Sequence, residues 1–295
     1  MTRRGRTILV AAGFAWLAAA VLVPFLIAAK ISLASVVLAR PPYTPLLDWS
    51  GGGMLPALDL NWGNYALLFS DRLYLDSYLS SVRLAGIATA IALLIGLPLA
   101  HAMARAPRNW RTALLILVVL PFWSSSLIRV YAWIGILRGD GPLNAMLIAL
   151  GVIGEPLAIL NTDIGVVSGL VYSYLPFMVL PLYASLERID PALPEAAADL
   201  GCKPAATFFR VTLPLALPGV LAGSLLMFIP AMGEFVVPDL MGGSDTLMVG
   251  RTLWTEFFGN RDWPLASAAS VVLVILLVGP IVALERLGLK RAEQG

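Results

Sequence analysis

The 295-residue sequence predicts an all-α polytopic membrane protein with about six transmembrane helices. Three observations predict it: an apolar composition, apolar stretches of bilayer-spanning length, and a one-sided placement of basic residues. Hydrophobic residues make up 59% of the chain and charged residues 13%, and the mean hydropathy is +0.85, far from a water-soluble domain. A helix crosses the hydrocarbon core with about 20 apolar residues. Six stretches near that length lie at 8–31, 84–104, 113–137, 164–186, 215–237 and 266–284. With the N-terminus inside, the cytoplasmic side receives Arg3, Arg4, Arg6, Arg105, Arg108, Arg111, Arg188, Lys203, Arg210, Arg286, Lys290 and Arg291, 12 of the 20 basic residues. The acidic residues gather on the opposite side, so the positive-inside bias places both termini in the cytoplasm.

The first stretch follows Arg3, Arg4 and Arg6. Its apolar run is too long for a cleavable signal peptide, so it is expected to remain as a membrane helix. The outer loop 32–83 that follows is rich in Pro, Gly and aromatic residues, among them Pro41, Pro42, Tyr43, Trp49, Trp62 and Tyr65. It is too apolar for a disordered linker and is expected to pack as irregular chain and short helices. The segment 143–160 is also apolar, but Gly151, Gly154, Glu155 and Pro156 interrupt it, which makes it an outer packed or interfacial helix rather than a seventh span.

Several chemistries are excluded. One cysteine (Cys202) and one histidine (His101) supply neither a disulfide framework, nor a metal cluster, nor a Cys-His nucleophile pair. The chain has no Gly-x-x-x-x-Gly-Lys phosphate loop, so it is not expected to hydrolyse ATP itself. No catalytic residue, metal site or resident cofactor is expected, and nothing calls for a nucleic acid.

The loop 187–214 between the fourth and fifth spans carries the most information. Leu193-Pro194-Glu195-Ala196-Ala197-Ala198-Asp199-Leu200-Gly201 is followed by Cys202 to Arg210 and then by Val211-Thr212-Leu213-Pro214. Pro194 suits a first helical turn, and Glu195 favours the positive end of the helix dipole. The alanines are strong helix formers without bulk, Gly201 can take the left-handed conformation that ends a helix, and Pro214 is expected to stop a second short helix. The product is a compact knob with a smooth alanine face, suited to docking a soluble partner.

Glu195-Ala196-Ala197, with Gly201 and then Leu213-Pro214 at matching spacing, resembles the "EAA" loop of ABC importer permeases. Val211 stands where that pattern prefers Ile. The resemblance implies the transmembrane domain of a type I ABC importer in a bacterial inner membrane. It assigns ATPase coupling to Glu195, Ala196, Ala197, Gly201, Leu213 and Pro214. It also implies two ATP-binding subunits that carry ATP and Mg, a second and different permease chain, and an outer solute-binding protein. Leu120-Pro121-Phe122-Trp123, Leu127-Ile128-Arg129-Val130-Tyr131, Tyr174-Leu175-Pro176-Phe177, Gly233-Glu234-Phe235 and Asn260-Arg261-Asp262-Trp263-Pro264 are similar to the polyamine branch, with putrescine or spermidine as cargo. Another small cation or an amino acid is the alternative cargo, and an ATP-independent secondary transporter the alternative class.

A pathway for a flexible dication needs carboxylates, aromatic faces and bare carbonyls in exchange for water. Glu234 near the outer end of the fifth span, Tyr172 and Tyr174 in the fourth, and Trp123, Tyr131 and Trp133 in the third are candidates. Pro176, Pro230 and Pro238 would free the carbonyls of Tyr172, Leu226 and Glu234. Glu234 is alternatively a structural carboxylate paired to Arg129, and the tyrosines and Trp123 are alternatively packing or aromatic-belt residues. Asp140, Asp239, Asp245, Glu256 and Asp262 are expected as solvated loop charges or partner contacts.

Overall fold

A segment that is apolar on every side and long enough to cross a bilayer can form only a helix, because no water is there to satisfy its backbone. The computed structural model describes the backbone of residues 3–45, 47–48, 57–58 and 60–292 and the side chains of 11–45 and 60–279. It is almost entirely helical over them, apart from an antiparallel pair of two-residue strands, β1 (Leu47–Asp48) and β2 (Ala57–Leu58). The chain divides into two units, residues 1–75 with 252–295, and residues 76–251.

In the first unit α1 (Arg3–Ser32) packs along α13 (Trp263–Ala292). Phe14, Trp16, Leu17 and Val21 of α1 are all exposed, as expected of a helix whose solvent is lipid. After α1 the chain is tied back by Asn64, whose Nδ2 donates to the carbonyls of Ser32 and Ala34, each at 2.9 Å. Helix α2 (Gly63–Ser70) follows. Leu68 of α2 and Tyr74 pack with Leu265, Ala268 and Ala269 of α13 into a small core. Asp262 caps α13 by accepting from the Leu265 N–H at 3.0 Å, and burial pushes its carboxyl above the usual range against the pull of that bond.

Glu256 departs from expectation. It is 8% exposed, in an i→i+5 turn over Thr255–Asn260, where it accepts from the Tyr74 hydroxyl at 2.9 Å and from Asn260 Nδ2 at 2.8 Å. It is a buried, hydrogen-bonded carboxylate and not a solvated loop charge. Asp140 and Asp239 instead pair with Arg138 and Arg251, at 3.0 and 3.2 Å.

The long helix α3 (Arg72–Arg105) starts well before the apolar stretch 84–104. Arg72, Asp76, Ser77, Ser80, Ser81 and Arg83 depress hydropathy there without opposing a helix. The stretch 113–137 is not one helix. Helix α4 (Arg108–Val119) runs through a tight turn at Leu120–Trp123, and α5 (Ser126–Leu137) leaves it after a bend of 95°. Pro121 and three successive serines favour local over helical hydrogen bonds. The carbonyl of Pro121 accepts from the Ser124 hydroxyl at 2.7 Å and from Arg129 Nη1 at 2.8 Å. Arg129 therefore clamps the break, with its guanidinium 4.6 Å from the Phe122 ring centre.

Helix α6 (Pro142–Ala149) is held to the chain after it by the buried Asn144, which donates to the carbonyls of Arg138 and Leu157 and accepts from the Leu157 N–H at 2.8 Å. Helix α7 (Asp163–Glu187) then runs unbroken through Pro176 and Pro181, with Thr162 as its cap. The knob is α8 (Ala192–Asp199) and α9 (Pro204–Thr207), leading through an i→i+5 turn at Phe208–Thr212 into α10 (Leu213–Met232). Pro214 does not end a helix: Pro204 to Met232 is one continuous span. The wider turn before Pro214 accommodates its ring and missing N–H.

Helices α7 and α10 form the central pair of the second unit. Gly219 and Gly223, four apart on α10, lie so close to α7 that a Cβ at 223 would sit 2.8 Å from the Met178 carbonyl oxygen. This is the small-residue contact of tightly packed membrane helices. The fifth apolar stretch, expected to run to Val237, ends as a helix at Met232. After a break at Gly233–Phe235 the chain resumes as α11 (Val236–Met241), and α12 (Val249–Trp254) follows.

Candidate functional site

Two groups of sequence-predicted residues lie in the second unit, at separate places. The first is α8. Leu200 ends it and Gly201 adopts φ +83, the left-handed conformation that glycine takes at least cost. The Gly201 N–H donates to the Ala198 carbonyl at 2.8 Å and the Cys202 N–H to the Ala197 carbonyl at 3.0 Å. These two bonds close the helix as a Schellman motif and consume carbonyls that would otherwise need water. Ala196 remains exposed and Ala197 half-buried, Glu195 sits in the first turn, and Leu213 and Pro214 open α10. The motif thus builds a short, end-locked helix on the turn that feeds a membrane span.

The second place is the break after α10. Glu234 lies inside it and does not continue the helix, so its carbonyl is freed by the break itself and not by Pro238. One carboxylate oxygen, Oε1, accepts from the N–H groups of Phe235 at 3.1 Å and Val236 at 2.9 Å, capping α11 where its dipole favours negative charge. The other, Oε2, accepts from the Tyr174 hydroxyl. Gly250 of α12 presses on the carbonyls of Gly233 and Glu234, leaving no space for a Cβ. Among the described residues Glu234 makes no ion pair with Arg129.

Tyr174 and Phe177, three apart on one face of α7, have ring centres 6.0 Å apart, and Phe177 meets Phe122 edge-to-face at 5.3 Å. An unbroken chain of contacts therefore runs from Glu234 through Tyr174, Phe177 and Phe122 to the clamp at Arg129, joining the two helix breaks. Tyr172 is not in it. Two residues from Tyr174 it faces elsewhere, stacked on Trp133 at 4.7 Å, whose Nε1 donates to Ser168 at 3.3 Å. Trp123 and Tyr131 are 80% and 55% exposed and take no part in these contacts. Sequence reasoning missed Phe122 and Phe177 as site residues, although the spacing of Tyr174 and Phe177 was a usable signal.

Chemically, a half-buried carboxylate beside a phenol and aromatic rings accommodates an ammonium group. Arg129 occupies the Phe122 face, which leaves Tyr174 and Phe177 as the aromatic partners.

Residues 92–284, which hold both places, match the family model described as the inner membrane component of binding-protein-dependent transport systems. The chain belongs to that family. It is an ABC permease of the inner membrane, and its role is transport. The spermidine/putrescine transport system permease protein PotB of Haemophilus influenzae is 45% identical over 92% of this chain and 89% of its own. The Escherichia coli protein of the same name is 46% identical over 72% of this chain and 78% of its own. A bacterial ABC transporter involved in import of the acidic polysaccharide alginate shares the fold, with a TM-score of 0.68 at 14% identity, over 96% of this chain and 94% of that one.

Proposed function

We propose that this permease is one transmembrane subunit of an ATP-driven importer that takes up a polyamine, putrescine or spermidine, by alternating access. The observation that carries the cargo is the 45% identity, over 92% of the chain, to a spermidine/putrescine permease. The Glu234–Tyr174 pair with Phe177 supports it, because a carboxylate beside aromatic rings suits an ammonium group. Both termini and the 187–214 loop face the cytoplasm, on the positive-inside bias. There Glu195, Ala196, Ala197 and Gly201 seat α8 in a groove of an ATP-binding subunit, one of two that hold ATP and Mg, while Leu213 and Pro214 pass its motion to α10. A second, different permease chain completes the cavity, and an outer solute-binding protein delivers the cargo. Closure of the ATPases moves α8, and only the difference in nucleotide affinity between the two states can drive the cycle.

The test is uptake of radiolabelled putrescine and spermidine into proteoliposomes holding the chain with its partner subunits, with and without internal ATP, and with Glu234→Gln in parallel. ATP-dependent uptake that is lost in the assembled Gln variant is the expected result. Cargo-stimulated ATPase with another solute and no polyamine uptake would remove the polyamine, and uptake independent of ATP would remove the mechanism.

A further inference from the structure

Glu234 as it stands is not free to take a cargo. Its carboxylate already accepts from the N–H groups of Phe235 and Val236 and from the Tyr174 hydroxyl, filling most of the roughly four acceptor positions that a carboxylate offers. The two N–H donors belong to the segment that follows Glu234, so an arriving ammonium group must compete with that segment or move it. The segment turns back on itself. From Phe235 the chain runs through α11, the loop 242–248 and α12, and at Gly250 it meets its own starting point, where a Cβ would lie 2.5 Å from the Glu234 carbonyl oxygen. Residues 234–250 thus form a closed loop with the proposed cargo carboxylate at its foot.

Helix α11 rests against the first turns of α7, where glycine makes the room: a Cβ at Gly169 would lie 2.7 Å from the Met241 Sδ. Beyond α11 the loop is tied by polar groups. The Val249 N–H donates to the buried Ser81 hydroxyl of α3 at 2.8 Å. Arg251 pairs with Asp239 at 3.2 Å and donates to the Gly243 carbonyl at 3.1 Å, which ties the loop to itself. A further tie is Asp163, in the first turn of α7. Its Oδ1 accepts from the Thr246 hydroxyl at 3.0 Å, and its Oδ2 pairs with Arg83 of α3. Thr246 is 4% exposed, and a buried hydroxyl needs an acceptor inside the protein, which Asp163 supplies. Asp163 and Arg83 themselves keep 44% and 60% of their side-chain surface open, so their ion pair is weak and screened by salt. One carboxylate therefore ties the loop to α3 and α7 at once, by bonds weak enough for the closed state to be undone.

We infer that Asp163 is a positioning residue for Glu234: by holding Thr246 and Arg83 together it keeps the 234–250 loop closed, and its release lets the loop lift and the carboxylate take an ammonium group. The effect on cargo rests on the role of Glu234 proposed above, whereas the closure of the loop does not. A protein whose competent state is only partly populated binds with an affinity reduced by that fraction. Cutting the tie at Asp163 therefore tightens cargo binding, whereas general damage to the fold would weaken it.

The experiment uses the assembled transporter in nanodiscs, without the solute-binding protein. Asp163→Asn keeps an acceptor for Thr246 and removes the charge that holds Arg83, and Thr246→Val does the reverse. Asp140→Asn, which breaks the exposed pair with Arg138, is the control. Equilibrium dialysis with radiolabelled spermidine reads cargo affinity. For the loop itself, each change is placed in a Cys202→Ser, Val236→Cys background, where position 236 carries the one thiol of this chain, and the rate of its reaction with a water-soluble maleimide is read from the mass of the chain. Asp163→Asn and Thr246→Val should each bind spermidine about threefold more tightly or better, and react about threefold faster or more, with Asp140→Asn unchanged. Reaction rates equal to those without the change would overturn the closure, and faster reaction without tighter binding would overturn the role for Glu234. Absence of spermidine binding in every protein, wild type included, would remove the cargo proposal, while the reaction rates still decide the closure.

Discussion

Gly223→Ala is the sharpest probe of how the helix pair α7/α10 holds the site. The added Cβ would lie 2.8 Å from the Met178 carbonyl oxygen, 3.1 Å from its Sδ and 3.3 Å from its Cα. The sulfur can swing aside, but the carbonyl belongs to a helical backbone. To reach an ordinary contact of 3.4 Å the helices must separate there by about 0.6 Å. Inserting one carbon into a close-packed contact costs about 1–3 kcal/mol, which is about 5- to 150-fold in the folded-to-unfolded ratio. The shift reaches the end of α10, where Glu234 accepts from Tyr174 of α7, so it loosens the site as well. Thermal unfolding of the purified chain in detergent should show a lower Tm, and assembled Gly223→Ala transporter should take up polyamine more slowly. Gly86→Ala on α3 is the control, since a Cβ there meets none of the described residues within 4 Å and alanine favours the helix by about 0.5–1 kcal/mol. A Gly223→Ala protein as stable and active as wild type, or a Gly86→Ala protein equally damaged, would refute the reasoning.

Gly201→Ala forces an L-residue to φ +83, at about 1–2 kcal/mol. Stimulated ATPase activity of the assembled complex should fall several-fold, with Gly201→Asn intermediate because Asn tolerates that conformation. Tyr174→Phe removes one of the three hydrogen bonds to Glu234, and bonds to charged groups are worth about 1.5–3 kcal/mol. Uptake should drop by about tenfold or more at unchanged assembly, measured beside Glu234→Gln. Tyr74→Phe leaves the buried Glu256 with Asn260 as its remaining side-chain partner among the described residues, and should lower stability by about 1–3 kcal/mol. The double variant Tyr74→Phe with Glu256→Leu should recover much of that loss, a comparison read directly from Tm.

The α8 loop was legible because its signals are local. Pro194, Glu195, the alanines and Gly201 each act within one or two helical turns, and the Schellman bonds at Ala197 and Ala198 follow from them. Pro214 was not legible in the same way, because a proline announces a missing N–H without saying whether a wider turn absorbs it. Glu234 and Tyr174 could each be suspected, but their contact joins residues 60 apart and depends on how closely α10 approaches α7. The glycines at 219 and 223 were the available signal for that approach. Chemical type does not fix where Trp123 and Tyr131 lie, and both are on exposed surface.

Apolar length is a property of each segment by itself, since a bilayer demands the same length of every helix whatever its neighbours. The apolar stretches and the α8 knob could for that reason be read along the chain, although the described residues hold four helices long and apolar enough to cross a membrane, or five if the bent α4–α5 pair is one span, against the six expected. Hydropathy is blind to direction, so it merged α4 with α5 across a 95° bend and carried α10 through the break at Glu234. Packing decided those features. A helix can break inside a membrane protein only where other groups satisfy the backbone it frees. Here those groups are the Ser124 hydroxyl and Arg129 at the first break, and at the second the Glu234 carboxylate, held by Tyr174 from a different helix.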